Sequence, residues 1–102
     1  MVDALYQGNV LKVESIKYPM LIASKKTFND VSEQVIACPV VDNSVENALH
    51  IRINTDKISG IVLCEQLKLL DLSVRGYSII DSLPVSIIMD ITDAIQSIFD
   101  YV

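Results

Sequence analysis

The chain has 102 residues, 51% of them hydrophobic and only three each glycine and proline, so it is long enough for one compact domain and too short for two. No apolar run approaches the roughly 20 residues of a membrane-spanning helix, and the N-terminus lacks the pattern of a secretory signal, so we expect one cytoplasmic domain over residues 1–102 without membrane contact. The net charge is −5, residues 81–102 carry four Asp and no Lys or Arg, and no basic patch typical of nucleic-acid binding is visible.

The first half of the chain predicts short strands separated by polar turns. The strand candidates are Val10–Val13, Pro19–Ser24 and residues 33–41, with a turn at residues 28–30 and a polar loop at residues 42–47. The second candidate is almost wholly apolar, which is typical of a central strand whose two faces are both buried.

Residues 48–54 alternate strictly between apolar and polar side chains. Leu49, Ile51 and Ile53 face one way, whereas His50 and Arg52 face the other together with Ala48 and Asn54. This period of two predicts a half-buried strand with one polar face. A turn follows it, and a fifth strand begins at the glycine of "GIVLCEQ" (residues 60–66).

The last twenty residues change to the i, i+3, i+4 spacing of an amphipathic helix. We expect Ser82 to cap this helix and Pro84 to lie in its first turn, with Asp90, Asp93, Gln96 and Asp100 towards solvent. The expected inner face consists of Ile87, Ile88, Ile91, Ile95, Ile98, Phe99 and Val102. Five to six short strands followed by one helix predict a mainly β fold, a small β-barrel or curled sheet.

Cys38 and Cys64 both lie inside apolar strand segments. A structural zinc site needs four ligands, and no histidine lies near either cysteine, so we expect no metal and no cofactor. The two thiols are predicted to be small buried hydrophobic groups in a reducing compartment.

Three motifs resemble one known family. They are "YPMLIASKKTFN" (residues 18–29), "VIACPVV" (35–41) and, most specifically, "GIVLCEQLKLLDLSVRG" (60–76). Their order and spacing are similar to those of the MazF/PemK (Kid) toxins of bacterial toxin–antitoxin modules, over nearly the whole chain. The resemblance implies an SH3-like barrel, a homodimer, metal-independent cleavage of single-stranded RNA, and an antitoxin that lays an acidic tail over the same face.

The resemblance also implies site residues. Glu65 matches the family's acidic position and would act as the base, and Gln66 would support it by hydrogen bonding. The chain departs from the family at four places, the first of which is an opening loop shortened to "ESIK" (residues 14–17). Tyr18 and Leu63 stand where the family has arginine, and Val40 and Val41 replace an expected serine or threonine.

Our own hypothesis adds two residues that the family pattern does not place in the site. His50 and Arg52 project from one strand face, two residues apart, and could supply an acid and a cation that clamps phosphate. Metal-independent RNA cleavage needs such an acid, a base for the 2′-hydroxyl, and positive charge near the phosphorane.

Three functions follow as alternatives. The first is an active endoribonuclease toxin. The second is a catalytically inactive module of the same fold that binds an antitoxin-like or other protein partner, favoured by the apolar residues at former polar positions. The third is a gyrase-directed toxin on the same barrel, for which no particular residue argues. Cleavage of RNA in the presence of EDTA separates the first from the others.

Overall fold

The structure, a computed structural model, describes residues 4–99. Its elements in chain order are β1 (Asn9–Val13), β2 (Met20–Ile22), α1 (Lys26–Ser32), β3 (Val35–Val41), β4 (His50–Asn54), β5 (Ser59–Leu63), β6 (Lys68–Leu70), β7 (Tyr77–Ser82) and α2 (Val85–Ile98). The predicted fold class, mainly β with a C-terminal helix, is confirmed. The described residues contain seven strands rather than five to six.

The strands form one antiparallel sheet in the order β4-β5-β3-β2-β1-β7. β3 bridges two parts of it, because β6 pairs with residues 35–37 and β5 with residues 40–41. Within residues 4–99, β4 and β7 are not paired, so the sheet does not close into a complete barrel. It is nevertheless strongly curled, since Thr55 Oγ1, just after β4, donates a hydrogen bond of 2.5 Å to Asp81 Oδ2 in β7.

The central strands are buried on both faces, as the apolar character of residues 19–24 predicted. Val10, Leu21 and Cys38 lie side by side across β1, β2 and β3 and form one core with Ile91 and Ala94 of α2. The residues that alternate with these along β1, β2 and β3 point to the opposite face, where they form a second core with residues of neighbouring segments. Its members are Leu5, Leu11, Val13, Met20, Ile22, Val35, Ala37, Leu70 and Leu72. Burial of each large apolar side chain stabilises the fold by about 1.5–3 kcal/mol.

The start of α2 differs from the prediction. Ser82 does not cap the helix, because it is the last residue of β7 and its Oγ accepts a hydrogen bond of 3.3 Å from Asn9 Nδ2. Pro84 takes the N-cap position, one residue before the helix, without a side-chain cap. It suits this position because it brings no N–H that would need a partner.

The faces of α2 agree with the prediction except at its end. Ile91 is buried, and Asp90, Asp93 and Gln96 are exposed, as expected. Ile98 and Phe99 were predicted to face the core but are 40% and 69% exposed, because the helix ends at Ile98 and Phe99 lies beyond its last turn. The predicted positions of Asp100 and Val102 lie outside the described residues.

The predicted turn at residues 28–30 is wrong, since these residues belong to α1. An ion pair between Lys26 and Asp30, 2.6 Å long and one helical turn apart, lies on its surface. Asn29 is its buried residue, and its side chain ties α1 to the backbone carbonyls of Leu5 (3.0 Å) and Ser24 (3.2 Å). A single buried polar residue leaves no apolar periodicity, so the pattern gave no signal for a helix.

Candidate active site

His50 and Glu65 are brought together by the register of the β4–β5 hairpin. His50 lies opposite Leu63, and Glu65 follows Leu63 by two residues on the same face. A hydrogen bond of 2.9 Å from the Cys64 N–H to the Leu49 carbonyl continues this pairing beyond the strands. His50 Nε2 consequently lies 2.7 Å from Glu65 Oε2 and 3.0 Å from Oε1.

The other ring nitrogen of His50 also faces an acceptor. Nδ1 lies 2.8 Å from the backbone carbonyl oxygen of Val45. A carbonyl and a carboxylate can only accept hydrogen bonds, so both ring nitrogens must carry hydrogen for both contacts to form. The hydrogen bond to Glu65, followed by the one to Val45, raises the pKa of His50. This arrangement therefore favours an imidazolium paired with a carboxylate.

Arg52 lies on the same face of β4 as His50, as the alternation predicted, but it has a partner that sequence reasoning missed. Its Nη2 lies 3.1 Å from Glu46 Oε2, and both side chains are about half exposed. Exposed pairs of this kind contribute about 0–1 kcal/mol, so an incoming phosphate can displace Glu46. Arg52 therefore lies on the predicted face, and its role as a cation that clamps phosphate stays a prediction.

Gln66 follows Glu65 in the turn after β5, where its backbone N–H donates to the Leu63 carbonyl at 3.1 Å. Its side chain is exposed and has no hydrogen bond within residues 4–99. Its supporting role therefore stays a prediction. Two of the positions at which the chain departs from the resemblance belong to the core, since Leu63 is 8% and Val40 is 2% exposed, whereas Tyr18 and Val41 are half-buried.

Neither a metal cluster nor a membrane span is found in the described part of the chain. Between residues 4 and 99, no three His, Cys, Asp or Glu side chains are grouped as metal ligands would be. No helix there combines the length and the apolar character that crossing a bilayer requires.

A family model described as "PemK-like, MazF-like toxin of type II toxin-antitoxin system" matches residues 12–99. The chain belongs to the PemK/MazF toxin family. The family prediction made from the motifs is thereby confirmed, and the matched range contains all four predicted site residues: His50, Arg52, Glu65 and Gln66. No sequence among curated proteins matches the chain.

Solved structures show the fold of this PemK/MazF chain independently. MazF from Deinococcus radiodurans is 18% identical with a TM-score of 0.82, and the match covers 95% of this chain and 97% of that one. The MazE–MazF complex from the same organism gives 19% identity, a TM-score of 0.84 and the same two coverages. A mycobacterial endoribonuclease in complex with its cognate antitoxin is 16% identical with a TM-score of 0.81, and the match covers 92% of this chain and 93% of that one. At these identities the likeness establishes the fold.

Both cysteines of this PemK/MazF chain are buried and free, as predicted. Burial raises the pKa of Cys38 to about 12 and that of Cys64 to about 11. Because the thiolate is the reactive form, we expect a disulfide-exchange reagent such as Ellman's to label neither thiol readily in the native protein and both at once in urea. Labelling of both thiols within minutes in native buffer would contradict this.

Proposed function

We propose that this PemK/MazF family chain is a toxin that cleaves single-stranded RNA without a metal, with Glu65 as the base and His50 as the acid. The observation that supports this most directly is the contact of 2.7 Å between His50 Nε2 and Glu65 Oε2. It pairs a proton donor with a proton acceptor on one partly exposed surface, as proton transfer to and from a substrate requires.

The reaction balances with these two groups. The 2′-oxygen forms a bond to phosphorus while the bond from phosphorus to the 5′-oxygen breaks. Glu65 takes the 2′-hydroxyl proton, and His50 Nε2 gives its proton to the departing 5′-oxygen, which leaves a 2′,3′-cyclic phosphate and a 5′-hydroxyl. Because the two side chains touch, a proton can then pass from Glu65 to His50 and restore both.

Arg52 supplies positive charge for the phosphorane once phosphate has displaced Glu46. Leu63 and Tyr18, by resemblance, replace two arginines of the family. Loss of one such electrostatic stabiliser costs about 2.7–4 kcal/mol of transition-state stabilisation. We therefore expect a slow enzyme that depends strongly on Arg52.

The proposed partners are a second copy of the chain, an antitoxin protein and single-stranded RNA, in the cytoplasm. The antitoxin is supported by similar solved structures, which include a MazE–MazF complex and an endoribonuclease in complex with its cognate antitoxin. Those complexes belong to those proteins, and their fold is shared by this chain.

The decisive experiment incubates purified protein with long unstructured RNA in EDTA. We expect discrete fragments that end in 2′,3′-cyclic phosphate and begin with a 5′-hydroxyl. The same RNA with 2′-O-methyl groups throughout serves as the control and should stay intact, since it lacks the attacking hydroxyl. Cleavage of the methylated RNA would point to a contaminating nuclease or another mechanism.

Absence of cleavage by folded protein at micromolar concentration would overturn the enzymatic proposal. The alternative would then be the inactive binding module. The apolar residues Leu63 and Val41 favour that reading, since they lie on the sheet face of His50 and leave fewer polar groups there than the family pattern implies.

A further inference from the structure

The loop that leads into β4 encloses the side of the His50 ring that Glu65 does not contact. Besides the Val45 carbonyl at 2.8 Å, Ser44 Oγ lies 3.3 Å and Asn47 Nδ2 lies 3.5 Å from Nδ1. These contacts occupy Nδ1 and leave Nε2 as the nitrogen that faces Glu65 and the outside of the protein. The position of this loop therefore decides which ring nitrogen can take part in proton transfer.

The side chain of Asn47 holds this loop in place. Its Oδ1 accepts hydrogen bonds from the backbone N–H groups of Leu49 (2.8 Å) and His50 (3.0 Å). Asn47 and His50 are also paired through their backbones as an isolated β-bridge. An asparagine that accepts backbone N–H groups two and three residues ahead closes a compact turn, which fixes Val45 relative to the His50 ring.

We propose that Asn47 is a positioning residue: by closing the turn it keeps the Val45 carbonyl on Nδ1 and so holds the Nε2–H of His50 towards Glu65. The expected effect of Asn47 on RNA cleavage rests on the proposed function, whereas its expected effect on the protonation of His50 does not. The charged group that contacts His50 is Glu65 across the hairpin, and Arg52 with its partner Glu46 lies farther along the same strand and loop.

The chain contains one histidine, so its titration by NMR is unambiguous. Asn47→Ala removes the acceptor that closes the turn, and we expect the midpoint of His50 to fall by about half a pH unit or more as the Val45 contact loosens. Asn47→Asp keeps the acceptor oxygen but also places a negative charge near Nδ1, which favours the imidazolium by itself. Its midpoint should therefore lie at or above that of the wild type, and the decision rests on Asn47→Ala. Asn43→Ala, an exposed site in the same loop, is the matched control and should leave it unchanged.

A role of Asn47 in stability alone would lower the urea midpoint of Asn47→Ala without moving the His50 titration, and that result overturns the proposal. Nitrogen-15 spectra of the wild-type ring over a series of pH values test it without any variant. We expect the midpoint to lie above the ordinary imidazole value of about 6.5, and a midpoint at or below that value would contradict the contact of Nδ1 with the Val45 carbonyl.

The two proposals can fail separately. If the wild type does not cleave RNA but Asn47→Ala shifts the titration, the proposed function is wrong and the positioning of His50 stands. If RNA is cleaved, Asn47→Ala should lower kcat more than it changes KM, and Asn47→Asp should recover most of the loss. Cleavage with a titration that Asn47→Ala leaves unchanged would overturn the positioning role alone.

Discussion

Glu65→Gln is expected to reduce RNA cleavage by about 10²–10⁴-fold, because the amide cannot take the 2′-hydroxyl proton. The amide oxygen can still accept the hydrogen bond from His50 Nε2, so the imidazole should keep its place. We therefore expect kcat to fall while KM changes little, measured on a short single-stranded RNA in EDTA. The matched control is Glu33→Gln, at the exposed C-terminal end of α1, which should cleave as the wild type does. Equal activity of Glu65→Gln and wild type would remove Glu65 from the mechanism.

The same variant should change how folding stability depends on pH. The pKa of His50 is raised in the folded protein, first of all by the hydrogen bond to Glu65. Between the ordinary imidazole value of about 6.5 and that higher folded value, the native state binds more protons than the unfolded state, so the free energy of unfolding falls as pH rises. The contribution is complete below about pH 6.5 and disappears above the folded pKa.

Urea denaturation of wild type and Glu65→Gln at about pH 6 and about pH 9 should show this directly. We expect the wild type to lose more stability between the two conditions than the variant does. Burial, the largest cause of the raised pKa of both thiols, is the same in both proteins and keeps the folded thiols protonated at about pH 9, although Glu65 adds a smaller contribution that the variant loses. The difference in free energy of unfolding between wild type and variant should therefore become smaller as pH rises. If it stayed constant or grew, that would argue against a charged His50 paired with Glu65.

The hydrophobic pattern predicted two kinds of strand. The central strand β2 was found because it is a continuous apolar run buried on both faces, and β4 was found because its residues alternate between apolar and polar. β6 and β7 were missed for a different reason. β6 has three residues, and no residue of β7 is fully buried, since Ile79 is 44% exposed. An edge strand with little burial carries no periodic signal, and its pairing partner determines that it forms.

Part of the site could have been deduced from the hairpin alone. A tight turn after Asn54 pairs it with Ser59, and the same register places His50 opposite Leu63 and hence diagonal to Glu65. The sequence did not show how many residues this turn contains, and that number determines the register of the hairpin. The contacts of His50 with Val45 and of Arg52 with Glu46 come from an irregular loop, whose path no periodicity describes.

Asn29→Leu is expected to cause a large loss of stability. Its amide donates to the Leu5 and Ser24 carbonyls, and its Oδ1 accepts from Ser24 Oγ at 2.5 Å. Leucine has a similar volume but leaves these carbonyls without a donor, in a place where Asn29 itself is only 7% exposed. Each buried polar group that loses its partner costs about 1–3 kcal/mol, so we expect the free energy of unfolding to fall by about 2–4 kcal/mol.

Such a loss is a large part of the 5–15 kcal/mol that stabilises a typical domain, and urea unfolding followed by circular dichroism would measure it. Asp30→Asn is the matched control, since it changes the next residue of α1 and weakens the exposed ion pair with Lys26. That pair should contribute less than about 1 kcal/mol. If the two variants unfolded at the same urea concentration, the hydrogen bonds of Asn29 would contribute no more than a surface ion pair. The N-terminal segment at Leu5 would then be held by its apolar contacts and by the hydrogen bonds of Gln7 and Gly8 that follow it.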